Sequence, residues 1–85
     1  MNDHSYYLYR ITETGEGEIY GKFSSLTQAE LSAHLLLIKE LCFILSSDFT
    51  KIYFYNEDGT WDYDIMTDTG KEEFLQIYPN PLEYK

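Results

Sequence analysis

The chain has 85 residues and carries 15 aspartates and glutamates against 6 lysines and arginines, a formal net charge of -9. That field repels phosphate backbones and anionic membrane surfaces, which argues against direct nucleic-acid or membrane binding and favours a basic partner. A chain this short is expected to form one domain over residues 1–85 without a large catalytic cavity, while 18% aromatic residues, nine tyrosines among them, supply the burial that acidic disordered chains lack.

In chain order, residues 5–11 (SYYLYRI) and 19–23 (IYGKF), joined by the Gly-bearing TETGEGE, read as a β-hairpin. Pairing Ile11 with Ile19, Tyr9 with Gly21 and Tyr7 with Phe23 collects one apolar face. It leaves Leu8 on the other side with Tyr6, Arg10, Tyr20 and Lys22. A helix is expected to open in SSLTQAEL, with Thr27 as N-cap, Glu30 completing a capping box, and Leu26 and Leu31 spaced as a hydrophobic staple. From there to Leu45, the residues Leu31, Leu35, Ile38, Cys42 and Leu45 recur at helical spacing as one apolar stripe. Leu37, Leu41 and Ile44 make a second stripe and Leu36 with Phe43 a third, so this long helix needs cover on more than one side.

Residues 51–66 (KIYFYNEDGTWDYDIM) read as a second hairpin around a two-residue type I′ turn at Asp58-Gly59. That turn pairs Asn56 with Trp61, Phe54 with Tyr63 and Ile52 with Ile65, and sets Lys51, Tyr53, Tyr55, Asp62, Asp64 and Met66 on the opposite face. In TDTGKEEFLQIYPNP, Thr69 is the expected N-cap of a short helix that presents Phe74, Leu75, Ile77 and Tyr78 and ends at Pro79. The fold predicted is α+β: a four-stranded antiparallel sheet (ββαββ) with one long helix on one face and a short C-terminal helix. If the long helix returns the chain across the sheet, residues 19–23 and 52–56 run in the same direction, which leaves strand orders 2-1-3-4 and 1-2-4-3 open.

No constellation for chemistry stands out. The carboxylates Glu57, Asp58, Asp62, Asp64, Asp68, Glu72 and Glu73 do not follow an EF-hand, because Gly59 as its sixth position puts Phe54 at the first ligand position. Asp62 and Asp64 share a strand face as an acid/base pair would, yet an open sheet face makes no water-excluding cleft. His4 and His34 have no Cys or Asp at ligand spacing, Cys42 falls within an apolar stripe, and TGEGE lacks the third glycine of a dinucleotide loop. A single cysteine permits no internal disulfide and suits a reducing compartment. The N-terminal stretch has no basic segment leading into an apolar core, and the apolar run at residues 35–45 contains a Lys-Glu pair and is too short to span a bilayer. The expectation is a cytoplasmic, non-catalytic protein without metal or cofactor.

What remains is a protein-binding surface: Tyr53, Tyr55, Asp62 and Asp64 with Glu57, Asp58 and Asp68, tyrosines giving contact area and carboxylates pairing with a partner's lysines and arginines. Base stacking on those tyrosines is disfavoured by the flanking aspartates. In size, charge and lack of a catalytic constellation the chain resembles, at the level of a class, the small acidic inhibitors that phages use against restriction or CRISPR nucleases, and the immunity proteins of nuclease toxins. The resemblance implies an inhibitor that occupies the basic, nucleic-acid-binding surface of a nuclease or similar protein, and a phage or bacterial origin. It assigns no residues. The alternative is a homo-oligomeric module, such as a homodimer, joined through Leu31, Leu35, Ile38, Cys42 and Leu45.

Overall fold

The computed structural model describes residues 5–36 and 41–81. Strands β1 (Tyr6–Ile11) and β2 (Gly17–Phe23) lead into helix α1 (Leu26–Leu35), followed by β3 (Cys42–Ser46), β4 (Lys51–Tyr55), β5 (Trp61–Ile65) and helix α2 (Asp68–Ile77). The strands form one antiparallel sheet in the order β2-β1-β3-β4-β5. Among the described residues the fold is therefore α+β with two helices and an antiparallel sheet, as expected, but the sheet has five strands.

The additional strand corrects the reading of a long helix. α1 ends at Leu35, and Cys42–Ser46 forms the central strand, with all of its residues buried. A strand covered on both faces needs apolar side chains at every position, and such a run satisfies a helical period as well as a strand period. Ile38 and Leu37 lie outside the described residues. The helical stripe drawn through Leu31, Leu35, Ile38, Cys42 and Leu45 does not exist as one face: Cys42 and Leu45 point to opposite sides of β3, and both are buried. Inserting β3 between β1 and β4 gives the order 2-1-3-4 with one strand added. It also makes β2 and β4 run in opposite directions, contrary to the expectation.

The helices cover opposite faces of the sheet. Beneath α1, Ala29 and Ala33 meet Leu8, Cys42 and Ile44, with Phe23, Tyr53 and Trp61 at the margin. Alanine at both contact positions lets the helix lie close to the strands; Leu26 packs at the margin of this cluster, while Leu31 and Leu35 are 54% and 75% exposed. Beneath α2, Phe74 meets Tyr7, Tyr9, Phe43, Leu45 and Phe49. There the Tyr9 and Phe43 rings stack at 4.9 Å, and Phe74 stands edge-on to both at 5.4 and 5.7 Å. Because both faces are covered, Leu8 is fully buried under α1 instead of lying on an outer side. The β1–β2 register differs accordingly: Tyr6 opposes Phe23, Leu8 opposes Gly21, and a bulge between Leu8 and Tyr9 shifts the partners so that Ile11 faces Gly17.

The N-caps of both helices lie two residues before the expected ones, at Ser25 and Thr67 instead of Thr27 and Thr69. Ser25 accepts from the Gln28 N–H at 3.2 Å and Thr67 from the Gly70 N–H at 3.0 Å. Ser25 and Gln28 have the same capping-box spacing as the expected Thr27 and Glu30, so the motif was present in two frames.

The hairpin loops share one construction. Gly15 N–H donates to the Thr12 carbonyl, Phe49 N–H to Ser46 and Gly59 N–H to Asn56, and each donor has a positive φ: 85°, 60° and 90°. This is the three-residue loop in which a type I turn is followed by a left-handed residue. Glycine takes that conformation without cost, whereas Phe49 bears strain of about 1–2 kcal/mol that its burial against Phe74 offsets.

Candidate functional site

The loop at residues 57–59 decides what surface the β4–β5 hairpin presents. Asp58 has a negative φ, so the two-residue type I′ turn is not formed. Its carboxylate accepts from the Thr60 N–H at 3.0 Å and the Thr60 hydroxyl at 2.6 Å, and Asn56 N–H donates to the Thr60 carbonyl at 2.8 Å. The hydroxyl bond, then the amide bond, holds the Asp58 pKa below the ordinary carboxylate value. With one more residue in the loop, Tyr55 opposes Trp61, Tyr53 opposes Tyr63 and Lys51 opposes Ile65.

That shift of one residue separates the sequence-predicted site. Tyr53 and Tyr55 lie on the α1 side with Trp61, Tyr63 and Ile65. Asp62 and Asp64 lie on the α2 side, opposite Phe54 and Ile52, and both are exposed. The expected mixed Tyr/Asp face is corrected, and so is the expected grouping of Trp61, Tyr63 and Ile65 with Ile52, Phe54 and Asn56 on one face. Glu57 and Asp58 sit exposed in the loop at one end of β5, and Asp68 sits exposed in the first turn of α2 beyond the other end. These five carboxylates thus follow β5 and its flanks, and Asp62 and Asp64 do not share a face with the tyrosines.

The α1-side face of this hairpin is aromatic and only partly covered, since α1 itself lies over β1, β2 and β3. Tyr53 meets Tyr6 edge-on at 6.1 Å and Tyr63 at 5.8 Å, Tyr55 meets Trp61 at 5.4 Å, and the His34 ring of α1 stands edge-on to Tyr55 at 5.7 Å. The Lys51 ammonium lies 5.0 Å above the Tyr63 ring. Tyr63 and Ile65 remain 49% and 64% exposed. Burial, then the neighbouring Tyr6 and Tyr63 phenols, then Asp48 and Glu30, raise the Tyr53 pKa. Beside it a depression of about 190 Å³ is lined by Tyr6, Ser46, Asp48, Lys51 and Tyr53. The Trp61 indole N–H is buried and finds no acceptor among the described residues.

β5 is an edge strand. Met66 N–H donates to the Thr50 carbonyl and the Thr60 carbonyl accepts from Asn56, so the even-numbered residues direct their backbone groups toward β4. The alternation of an antiparallel ladder then turns the N–H and C=O groups of Trp61, Tyr63 and Ile65 outward. The Asp62 carboxylate accepts the Tyr63 N–H at 2.8 Å.

The sequence reading did not place Trp61, Tyr63 and Ile65 on one face with Tyr53 and Tyr55, nor bring Tyr6 and His34 to that face. The signal was the Asp-Gly-Thr sequence: an aspartate two residues before a threonine favours an Asx turn, hence the longer loop. Elsewhere, Cys42 is buried on β3 and its thiol pKa is pushed up to about 11 by burial. Among the described residues, no group of three or more His, Cys, Asp or Glu side chains is placed to hold a metal ion, and no helix is long and apolar enough to cross a membrane. Comparison with protein-family models, curated proteins and solved structures finds no match to this chain.

Proposed function

We propose that the protein is a non-catalytic binding domain whose β4–β5 hairpin engages a basic protein surface, such as the nucleic-acid-binding groove of a nuclease, and inhibits that partner by occupying it. One observation carries the reading: β5 has aromatic and apolar side chains left half-exposed on one side and two exposed carboxylates on the other. Aromatics contribute contact area at low entropy cost, and flanking carboxylates select a cationic partner. The net charge of -9 adds long-range attraction.

The test uses three baits on lysate of the native host: the natural chain, Asp62→Lys with Asp64→Lys, and Tyr63→Ala with Ile65→Ala. The reading expects a basic protein that the natural chain retains, salt releases and both variants lose, while their melting temperatures stay near that of the natural chain. Adding the natural chain should then reduce the captured protein's activity on nucleic acid. Equal capture by all three baits contradicts it.

A second reading, self-association, has support from Leu31 and Leu35, which stand exposed one turn apart on α1. Sedimentation at micromolar concentration separates the two, and a monomer at all concentrations removes the second.

A further inference from the structure

We propose that the outer edge of β5 is a strand-addition site for an extended segment of the partner in which basic and apolar residues alternate. The proposal rests on the reading that a basic partner docks at β4–β5, and adds how it docks.

The edge offers what strand addition needs. Trp61, Tyr63 and Ile65 turn their backbone groups outward, and among the described residues no backbone group pairs with them. β5 keeps continuous register with β4 over its whole length, so the outward groups fall on one regular line. The opposite edge, β2, is interrupted by a bulge, a device that blunts an edge against pairing. An added strand draws affinity from main-chain hydrogen bonds and specificity from alternate side chains. Here one set would lie beside Trp61, Tyr63 and Ile65, and the other beside Asp62 and Asp64. Charge complementarity fixes the occupant: arginine or lysine on the aspartate side, apolar or aromatic residues on the other. A second copy pairing through its own β5 would set aspartates beside aspartates, which is unfavourable for neighbouring strands.

Asp62 makes the edge selective. In the isolated chain its carboxylate occupies the Tyr63 N–H, the middle outward donor. A guanidinium arriving on the aspartate side offers that carboxylate a stronger, charge-assisted partner and leaves the amide to the incoming carbonyl. A neutral strand makes no such exchange.

The probes are three short acetylated peptides, slightly longer than β5: one alternating Arg and Val, the same peptide with its two central amides N-methylated so that neither of its edges can pair, and one alternating Glu and Val. The proposal expects the Arg-Val peptide to bind the full chain at least roughly tenfold more tightly than the N-methylated form, with slowed hydrogen exchange at the Trp61, Tyr63 and Ile65 amides and no binding of the Glu-Val peptide. Equal binding of the two Arg-Val forms overturns strand addition and leaves the basic-partner reading standing. Binding of Glu-Val as tight as Arg-Val overturns both, and failure of all three peptides to bind overturns strand addition.

Discussion

At the scale of single residues, the core depends on polar atoms placed with as much consequence as the apolar ones. Tyr9 is fully buried, and its hydroxyl donates to the Pro79 carbonyl at 2.7 Å, tying the chain after α2 to the centre of the sheet. Burial raises its phenol pKa, with the Tyr7 phenol adding to the effect. Tyr9→Phe keeps the ring and removes the bond, so urea titration is expected to show a loss of about 1 kcal/mol. A loss well below that would mean the bond contributes nothing net.

Asp48 gives a pH prediction whose sign follows from its surroundings. The Thr50 hydroxyl, then the Ser46 hydroxyl and the Thr50 amide, bond to its carboxylate and lower its pKa in the folded state. A group with a depressed folded pKa contributes stability that is fully present above the unfolded value and is lost as pH falls through the folded one. Asp48→Asn is therefore expected to melt below the natural chain at neutral pH, with the gap closing as pH falls below the ordinary carboxylate range and that carboxylate protonates. A gap constant with pH would assign the effect to shape instead of charge.

At the scale of elements, the decisive fact is the β4–β5 register. Tyr53 and Tyr63 face each other with their backbone groups turned apart, the pairing in which Cα atoms approach to about 4.5 Å and a disulfide fits. In a Cys42→Ser background, Tyr53→Cys with Tyr63→Cys is expected to oxidise to an intramolecular disulfide and raise the melting temperature. Phe54→Cys with Tyr63→Cys, which a two-residue turn would align, points to opposite faces and should stay reduced. The reverse outcome would restore the mixed Tyr/Asp face.

The same elements show what the sequence made legible. The two hairpins, the presence of two helices with starts near Thr27 and Thr69, and the antiparallel α+β class were readable because turn and cap chemistry is local, although the caps proved to be Ser25 and Thr67. β3 was not, because Cys42-Phe43-Ile44-Leu45 is apolar at every position and fits either period once two faces must be covered. The register was not, because a glycine with positive φ ends both a two-residue and a three-residue loop, and Asp58 with Thr60 selects between them. The candidate site inherited that error, because its residues were assigned to one face when they lie on two.

At the scale of the whole molecule, two helices shield the middle of the sheet from both sides, and the acidic excess leaves its mark where cover ends. Exchanging Asp62 and Asp64 for lysine reduces the self-repulsion of a chain with net charge -9, and neither side chain is buried. The double variant is therefore expected to melt at or slightly above the temperature of the natural chain while losing its basic ligand. A large drop in melting temperature would mean these carboxylates support the fold instead of a partner.

The most direct measurement is a nitrogen-15 correlation spectrum of the labelled chain titrated with the Arg-Val peptide. Saturable shifts are expected at the amides of Trp61, Tyr63 and Ile65, spreading to β4 and weakening with salt. Shifts centred on β2 or on α1, with the β5 amides unmoved, would contradict strand addition at β5.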